Sequence, residues 1–219
     1  FLLCCQEPFS WSLCFIFILK VWRVSLWTLK PAKITRFFHQ NYEIGQYAVA
    51  INVPKTQCEN GFIPSTFPDF LKEDKNVNVK NIISADERPV YEGKELIAAG
   101  VQKTPNTAHS EFLLMNPPDN SPLTNLLNKR KDGCVGFLHL KLSLYEHLSV
   151  GSTRLQEGLI NEKHTRGIKA FVFKNIWKQD QNRQDELREK LKVIASRIPL
   201  YRCKSNKCTY GNAGEFNKT

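Results

Sequence analysis

Hydrophobic and polar positions along four stretches of this chain follow the pattern of buried or half-buried β-strands. The first stretch ends at Pro54, which cannot continue a central strand, and the second contains a Glu-Gly pair that favours a hairpin turn. In the fourth, period-two alternation predicts Phe171 and Phe173 on one face of a sheet and Val172 on the other. The predicted strand segments are residues 47–53, 89–99, 134–142 and 167–174.

Three further stretches have the periodicity of helices. Asn106 or Thr107 can cap the first, and Pro199 ends the last, in which acidic residues gather early and basic residues late. Residues 55–86 carry only short apolar groups and predict a long loop with one short strand at 77–83. The predicted helices are residues 109–115, 122–131 and 180–197. Strands that alternate with helices in this way indicate an α/β domain with helices packed on its sheet.

The ends of the chain differ in character from its middle. Residues 11–19 are almost unbroken apolar, but about twenty residues are needed to span a bilayer, so no clear membrane span is expected. No basic segment precedes this stretch, as one would in a signal peptide. The predicted organisation is a hydrophobic and basic segment at 1–40 outside the fold, an α/β domain at 41–200 and a basic, Cys-containing tail at 201–219.

Composition and charge narrow the class of protein. With 42% apolar and 11% aromatic residues in 219, the chain can build a hydrophobic core, which excludes a disordered protein. The formal net charge is +10, and residues 160–219 hold 14 Lys and Arg against 6 Asp and Glu. Such a bias suits a polyanionic partner, although a solvated, Lys-rich helix face has the same composition.

Seven cysteines are scattered along the chain without the regular framework of a small disulfide-stapled domain. We therefore expect a reducing compartment and an intracellular location, in the cytoplasm or the nucleus. Cys203 and Cys208 are separated by four residues and could form half of a zinc clip or a disulfide across a turn. Cys134, at the start of a predicted strand, is expected to be a small apolar filler.

The order of the predicted elements, with His109-Ser110-Glu111 opening a helix after the hairpin, resembles the cytidine deaminase-like superfamily of zinc-dependent nucleoside and nucleic-acid deaminases. The resemblance covers roughly residues 42–200. It implies a three-layer α/β sandwich with a mixed central sheet, and family members often form homo-oligomers. By the same resemblance His109 is the zinc-binding His and Glu111 the catalytic proton shuttle. Since helical residues turn about 100° each, Glu111 would reach a metal-bound water while His109 holds the metal.

The second half of the family's zinc motif, Pro-Cys-x-x-Cys, should follow the strand that ends near Leu142. Residues 142–149 contain no cysteine, and Leu144 and Leu148 cannot bind a metal. His147 is the one imidazole there and a weak candidate ligand. We therefore expect an incomplete site and no cofactor, with Zn²⁺ bound only if further ligands exist. His139, inside the preceding strand, is expected at the edge of the core or facing solvent.

Three functions follow from this comparison. The favoured one is a deaminase-like domain that has lost its metal site and serves as a binding or scaffold module. The second is an active zinc-dependent deaminase of cytosine bases or nucleosides. The third is a basic protein that binds nucleic acid without catalysis, with Trp177 as the stacking side chain. The candidate nucleic-acid-binding residues are Lys174, Trp177, Lys178 and Arg183.

Overall fold

The computed structural model describes residues 30–42, 45–59, 69–142, 168–176, 178, 182, 184–204 and 207–211. The helices are α1 (Lys30–Tyr42), α2 (Thr56–Glu59), α3 (Asn76–Ile83), α4 (Ser110–Met115), α5 (Pro122–Lys129) and α6 (Gln184–Ala195), with a 3₁₀ turn at Pro118–Asn120. The strands are β1 (Ala48–Val53), β2 (Val90–Glu92), β3 (Leu96–Ala99), β4 (Cys134–Leu142), β5 (Ile168–Ile176), β6 (Leu200–Lys204) and β7 (Lys207–Tyr210). Within these ranges no helix is both long and apolar enough to cross a bilayer.

The strands form one mixed sheet in the order β2-β3-β1-β4-β5-β6-β7. β1 is antiparallel to both β3 and β4, whereas β4, β5 and β6 run parallel to one another. β7 returns antiparallel to β6 and lies at the edge. The predicted mixed α/β sheet is confirmed, including the hairpin of β2 and β3 around Gly93.

Helices cover both faces of the sheet, and two hydrophobic clusters lie between the layers. Phe171 and Phe173 pack with α4, α5 and α6 on one face, while Ala170 and Val172 pack with α1 and α3 on the other. The alternation that predicted opposite faces for these β5 side chains is confirmed. The result is the three-layer arrangement of helices, sheet and helices.

Helix α5 shows how local sequence positions an element on the sheet. Ser121 caps it, since its side chain accepts a hydrogen bond from the backbone N–H of Thr124 at 3.0 Å. At the other end, Asn52 of β1 donates through Nδ2 to the carbonyl oxygens of Leu126 at 2.9 Å and Arg130 at 2.8 Å. Because these carbonyls lack partners within the helix, one buried amide both ends α5 and ties it to the central strand.

The packed core extends on both sides of residues 41–200, the interval predicted for the domain. In α1, Ile34, Phe38 and Tyr42 recur every four residues and are 5%, 1% and 2% exposed, packed in the cluster that covers β1. Basic residues between these apolar positions favour a segment outside the fold, and they obscure the helical spacing. At the other end, alternation along β6 buries Tyr201 and Cys203. The expected tail therefore contributes most of β6 and all of β7, the last two strands at one edge of the sheet.

The strand predicted at 77–83 is wrong, because these residues belong to α3. Its valines and isoleucines favour β-structure, but Val79 and Ile83 are four residues apart and are the two that the fold buries. Val77 stays 62% exposed and Ile82 40% exposed. Packing of one helical face against the sheet overrides the strand propensity. The predicted long loop at 55–86 therefore contains two helices, α2 and α3.

Candidate active site

His109 stands at the start of α4, as the sequence predicted. Its backbone is extended, with φ −74° and ψ 150°, and it is the N-cap residue of the helix. Its carbonyl oxygen accepts a hydrogen bond from the backbone N–H of Leu113 at 3.2 Å. The imidazole is half-buried, with Nδ1 3.4 Å from Nε2 of Gln46.

Glu111 lies in the first turn of α4 and points into the layer between the helix and the sheet. It is 7% exposed, and its Oε2 lies 3.0 Å from Nε2 of His139 on β4. The hydroxyl of Ser110 donates to the same oxygen at 3.2 Å. The two side chains are thus in polar contact, but neither imidazole nitrogen of His139 has a hydrogen-bond partner of good geometry.

The position of His139 corrects the sequence-based expectation for this residue. It is 2% exposed, and two residues earlier Phe137 packs on the face that α4 and α5 cover. Alternation along β4 therefore turns His139 towards Glu111, away from solvent. That alternation could have been read from the sequence, but the facing acid could not, because the two residues meet only when α4 packs on the sheet.

The charge of Glu111 is set by two opposing effects. Burial raises the pKa of its carboxyl group, but the charge of His139 and a backbone N–H outweigh burial and lower the pKa from 4.5 to about 2. The carboxylate therefore stays ionised at neutral pH. The contact with the imidazole of His139, at 3.0 Å, is the main cause that lowers this pKa.

Two polar atoms of this pair have no hydrogen-bond partner. Oε1 of Glu111 and Nδ1 of His139 are buried without hydrogen-bond partners. A pocket that borders His139 has a volume of about 20 Å³, enough for about one water molecule, and Glu111 does not line it. His39 and Lys174 also line this pocket.

Metal binding depends on how the donor atoms are arranged in space. Within the part of the chain that the structure describes, no three His, Cys, Asp or Glu side chains are placed to hold one ion. Among the described residues, no third donor side chain joins His109 and Glu111 to form a zinc site. His147 and the rest of 143–150 lie outside the described residues. The absence of metal ligands in the second half of the motif therefore stays a prediction.

The candidate nucleic-acid-binding residues are only partly placed. Lys174 is half-buried on β5, with Nζ 3.3 Å from Nε2 of His39. Lys178 is exposed, whereas Trp177 and Arg183 lie outside the described residues. Lys174 lines the same small pocket as His139.

The described cysteines of β4, β6 and β7 are crosslinked, whereas the scattered cysteines of the sequence predict a reducing compartment. Cys203 and Cys208 face each other across β6 and β7 and form a disulfide, with a Cα–Cα distance of 4.0 Å. Of the two alternatives for this pair, the zinc clip is therefore wrong and the disulfide is right. Cys134 is disulfide-bonded as well.

Comparison with known proteins bears on both family and location. A family model described as Secreted Novel AID/APOBEC-like Deaminase 1 matches residues 32–215, a range that includes most of α1 and all of β7. No curated protein and no solved structure matches the chain. Because the family is described as secreted, the predicted intracellular location is wrong, and disulfides accord with an oxidising compartment. The chain belongs to this secreted AID/APOBEC-like deaminase family, within the cytidine deaminase-like superfamily.

Proposed function

We propose that this protein uses the deaminase fold as a binding or scaffold module and does not deaminate bases. The observation that carries the proposal is the contact between Oε2 of Glu111 and Nε2 of His139 at 3.0 Å. In the zinc deaminases a Glu at this place takes a proton from the attacking water and passes it to the base. Such a group works best with a pKa near the working pH, whereas the pKa of Glu111 is lowered to about 2.

The chemistry of the donor set supports the same proposal. The family's metal is held by one His and two Cys. After β4, residues 143–150 contain no cysteine, and Leu144 and Leu148 have no donor atom.

The active-deaminase alternative is favoured by the retained placement of His109 and Glu111 at the start of α4. It requires two more ligands, and His147 is the one imidazole in 143–150. The experiment that separates the alternatives is a deamination assay of the full chain with added Zn²⁺. Cytidine, deoxycytidine and a cytosine-containing single-stranded oligonucleotide serve as substrates.

We expect no product above the level of a Glu111→Gln variant. Zinc-dependent conversion by the unmodified protein, lost in both Glu111→Gln and His109→Ala, would overturn the proposal. Asp119→Asn, at an exposed position away from these residues, controls for general effects of a substitution.

A nucleic acid is one polyanionic partner that such a module could bind. The observation in its favour is charge, since residues 160–219 hold 14 basic against 6 acidic residues and Lys178 is exposed. Binding through phosphates weakens steeply with salt because counterions are released. Fluorescence anisotropy with a labelled oligonucleotide should show that dependence, and Lys178→Glu should weaken binding. Affinity that does not change with salt would exclude this partner class.

A further inference from the structure

Three basic side chains share one face of the hairpin that β6 and β7 form at the edge of the sheet. Arg202 and Lys204 are two residues apart on β6, and the strand register places Lys204 directly opposite Lys207 on β7. Because side chains alternate between the two faces of a strand, all three project from the same side. Lys204 and Lys207 are exposed, and Arg202 is half-buried. We call Arg202, Lys204 and Lys207 the basic face of the hairpin.

The hairpin holds these three positions close together. Directly opposite residues of an antiparallel pair have Cβ atoms about 5 Å apart, and residues two positions apart on one strand are about 7 Å apart. The disulfide between Cys203 and Cys208 joins the residue pair next to Lys204 and Lys207 and fixes the register. The spacing of the basic positions is therefore set before a ligand binds, which lowers the entropy lost on binding.

The arrangement of charges is unfavourable for the protein alone. Like charges directly opposite one another destabilise a pair of strands. A lysine on an edge strand such as β7 can prevent pairing with another sheet, but Arg202 and Lys204 lie on β6, which β7 covers. Burial also lowers the pKa of the Arg202 guanidinium, because it disfavours the charged form. An anion bound on this face would offset both effects.

The other side chains of the hairpin indicate which kind of polyanion fits. Single-stranded nucleic acids bind by stacking their bases on aromatic side chains beside the basic groups. The two tyrosines of the hairpin lie on its opposite face, where Tyr201 is buried and its ring centroid is 5.3 Å from that of Tyr210. Within the described part of β6 and β7, the exposed side chain beside the three cations is Thr209, and no aromatic ring lies on that face. A polyanion without bases therefore fits better.

We propose that the basic face of the hairpin binds a sulfated glycosaminoglycan of the heparin type. Such a chain carries closely spaced sulfate groups, which lysine and arginine bind through charge-assisted hydrogen bonds without any stacking. Clusters of Lys and Arg are typical of heparin-binding patches. The family is described as secreted, and sulfated polysaccharides are polyanions of the extracellular space. The net charge of +10 would also attract such a chain from a distance.

The probe for this surface is a heparin dodecasaccharide, with its affinity for the full chain measured by isothermal titration calorimetry at near-physiological salt. We expect saturable binding that weakens as the salt concentration rises, because salt screens exposed charges. A hyaluronan dodecasaccharide carries carboxylates but no sulfate, and it should bind at least tenfold more weakly. Equal binding of the two saccharides, or no saturable binding of heparin, would overturn the proposal.

Matched variants separate the basic face from the net charge of the protein. Lys204→Gln/Lys207→Gln should weaken heparin binding at least tenfold, whereas Lys204→Arg/Lys207→Arg keeps both charges and should retain binding. Lys33→Gln/Lys131→Gln is the control, because it removes two positive charges at exposed positions in α1 and just before β4. An equal loss of binding in the control would show attraction to the net charge alone and contradict the proposal.

Stability gives a second readout for the same variant. The melting temperature of Lys204→Gln/Lys207→Gln should not fall, since the substitution removes two opposed like charges. A clear fall would show that the two lysines serve the stability of the hairpin, and it would contradict the argument that they are placed there for a ligand.

Competition separates this ligand from a nucleic acid. A single-stranded oligonucleotide with as many anionic groups as the dodecasaccharide should displace bound heparin only at a concentration at least tenfold higher. Displacement at an equal concentration would overturn the choice of a sulfated polysaccharide. The inference does not depend on the proposal about catalysis, because β6 lies two strands away from β4, which contacts Glu111. Failure of heparin to bind would therefore leave that proposal untouched.

Discussion

Glu111 and His139 meet across the interface of α4 and β4, with Oε2 and Nε2 3.0 Å apart and both residues buried. They are 28 positions apart in the sequence, and only the packing of the helix on the sheet brings them together. The contact holds the carboxylate of Glu111, the residue expected to be the proton shuttle, against the buried side chain of His139. It makes Glu111 part of the core, where its charge contributes to stability.

A double-mutant cycle on this pair tests that role. Glu111→Gln should lower the free energy of unfolding by about 3 kcal/mol, because removing one partner leaves a buried charge uncompensated. His139→Gln should cost a similar amount, and the double variant should cost clearly less than the sum of the two. Urea denaturation followed by circular dichroism gives the three values. Strict additivity would show that the two side chains do not interact.

The same pair predicts how stability changes with pH. The folded-state pKa of Glu111 is lowered from 4.5 to about 2, so its stabilisation is complete above pH 4.5 and is lost as the pH falls towards 2. A shift of this size corresponds to an effect on the order of 3 kcal/mol, shared with His139 and counted once. The difference in unfolding free energy between the unmodified protein and Glu111→Gln should shrink over that interval. A difference that stays constant down to pH 2 would contradict the assignment.

Asp74 predicts the stability of the β2–β3 hairpin. Asp74→Ala would leave the Tyr91 hydroxyl and two backbone N–H groups without their acceptor, and should cost about 2–4 kcal/mol. Hydrogen exchange should become faster at the amides of Lys94 and Glu95 in particular. Asp119→Asn, at an exposed position, is the control and should change neither quantity. Unchanged exchange at both amides in Asp74→Ala would disprove the anchoring role.

The disulfide between Cys203 and Cys208 predicts a modest effect on stability. It closes a short loop between two paired strands, so the chain-entropy estimate for its removal is about 2 kcal/mol. The double variant Cys203→Ser/Cys208→Ser should show that loss when both proteins are kept under oxidising conditions. Equal stability of the two proteins would mean that the edge hairpin folds without its crosslink.

Periodicity was sufficient to predict much of the fold. The strand at Cys134–Leu142 and the faces of β5 follow directly from alternating side chains. Prediction failed where tertiary packing overrode composition. In α1, the apolar residues at helical spacing are interspersed with basic residues, so the segment was not predicted as part of the core. In α3, the β-branched residues favoured a strand, but the segment packs on the sheet as a helix.

The candidate site was predictable only in part, for the same reason. The sequence placed His109 and Glu111 at the start of a helix, which depends on local capping and on the family pattern. It could not pair Glu111 with His139, because this contact joins distant segments. The family's description as secreted likewise corrected a location inferred from scattered cysteines.

The most direct test of the account is the zinc content of the purified full chain. Inductively coupled plasma mass spectrometry, after incubation with excess Zn²⁺ and desalting, should find well under one zinc per chain, and the same amount in His109→Ala. One equivalent of zinc in the unmodified protein that disappears in His109→Ala would show a complete metal site and contradict the proposal of a non-catalytic module.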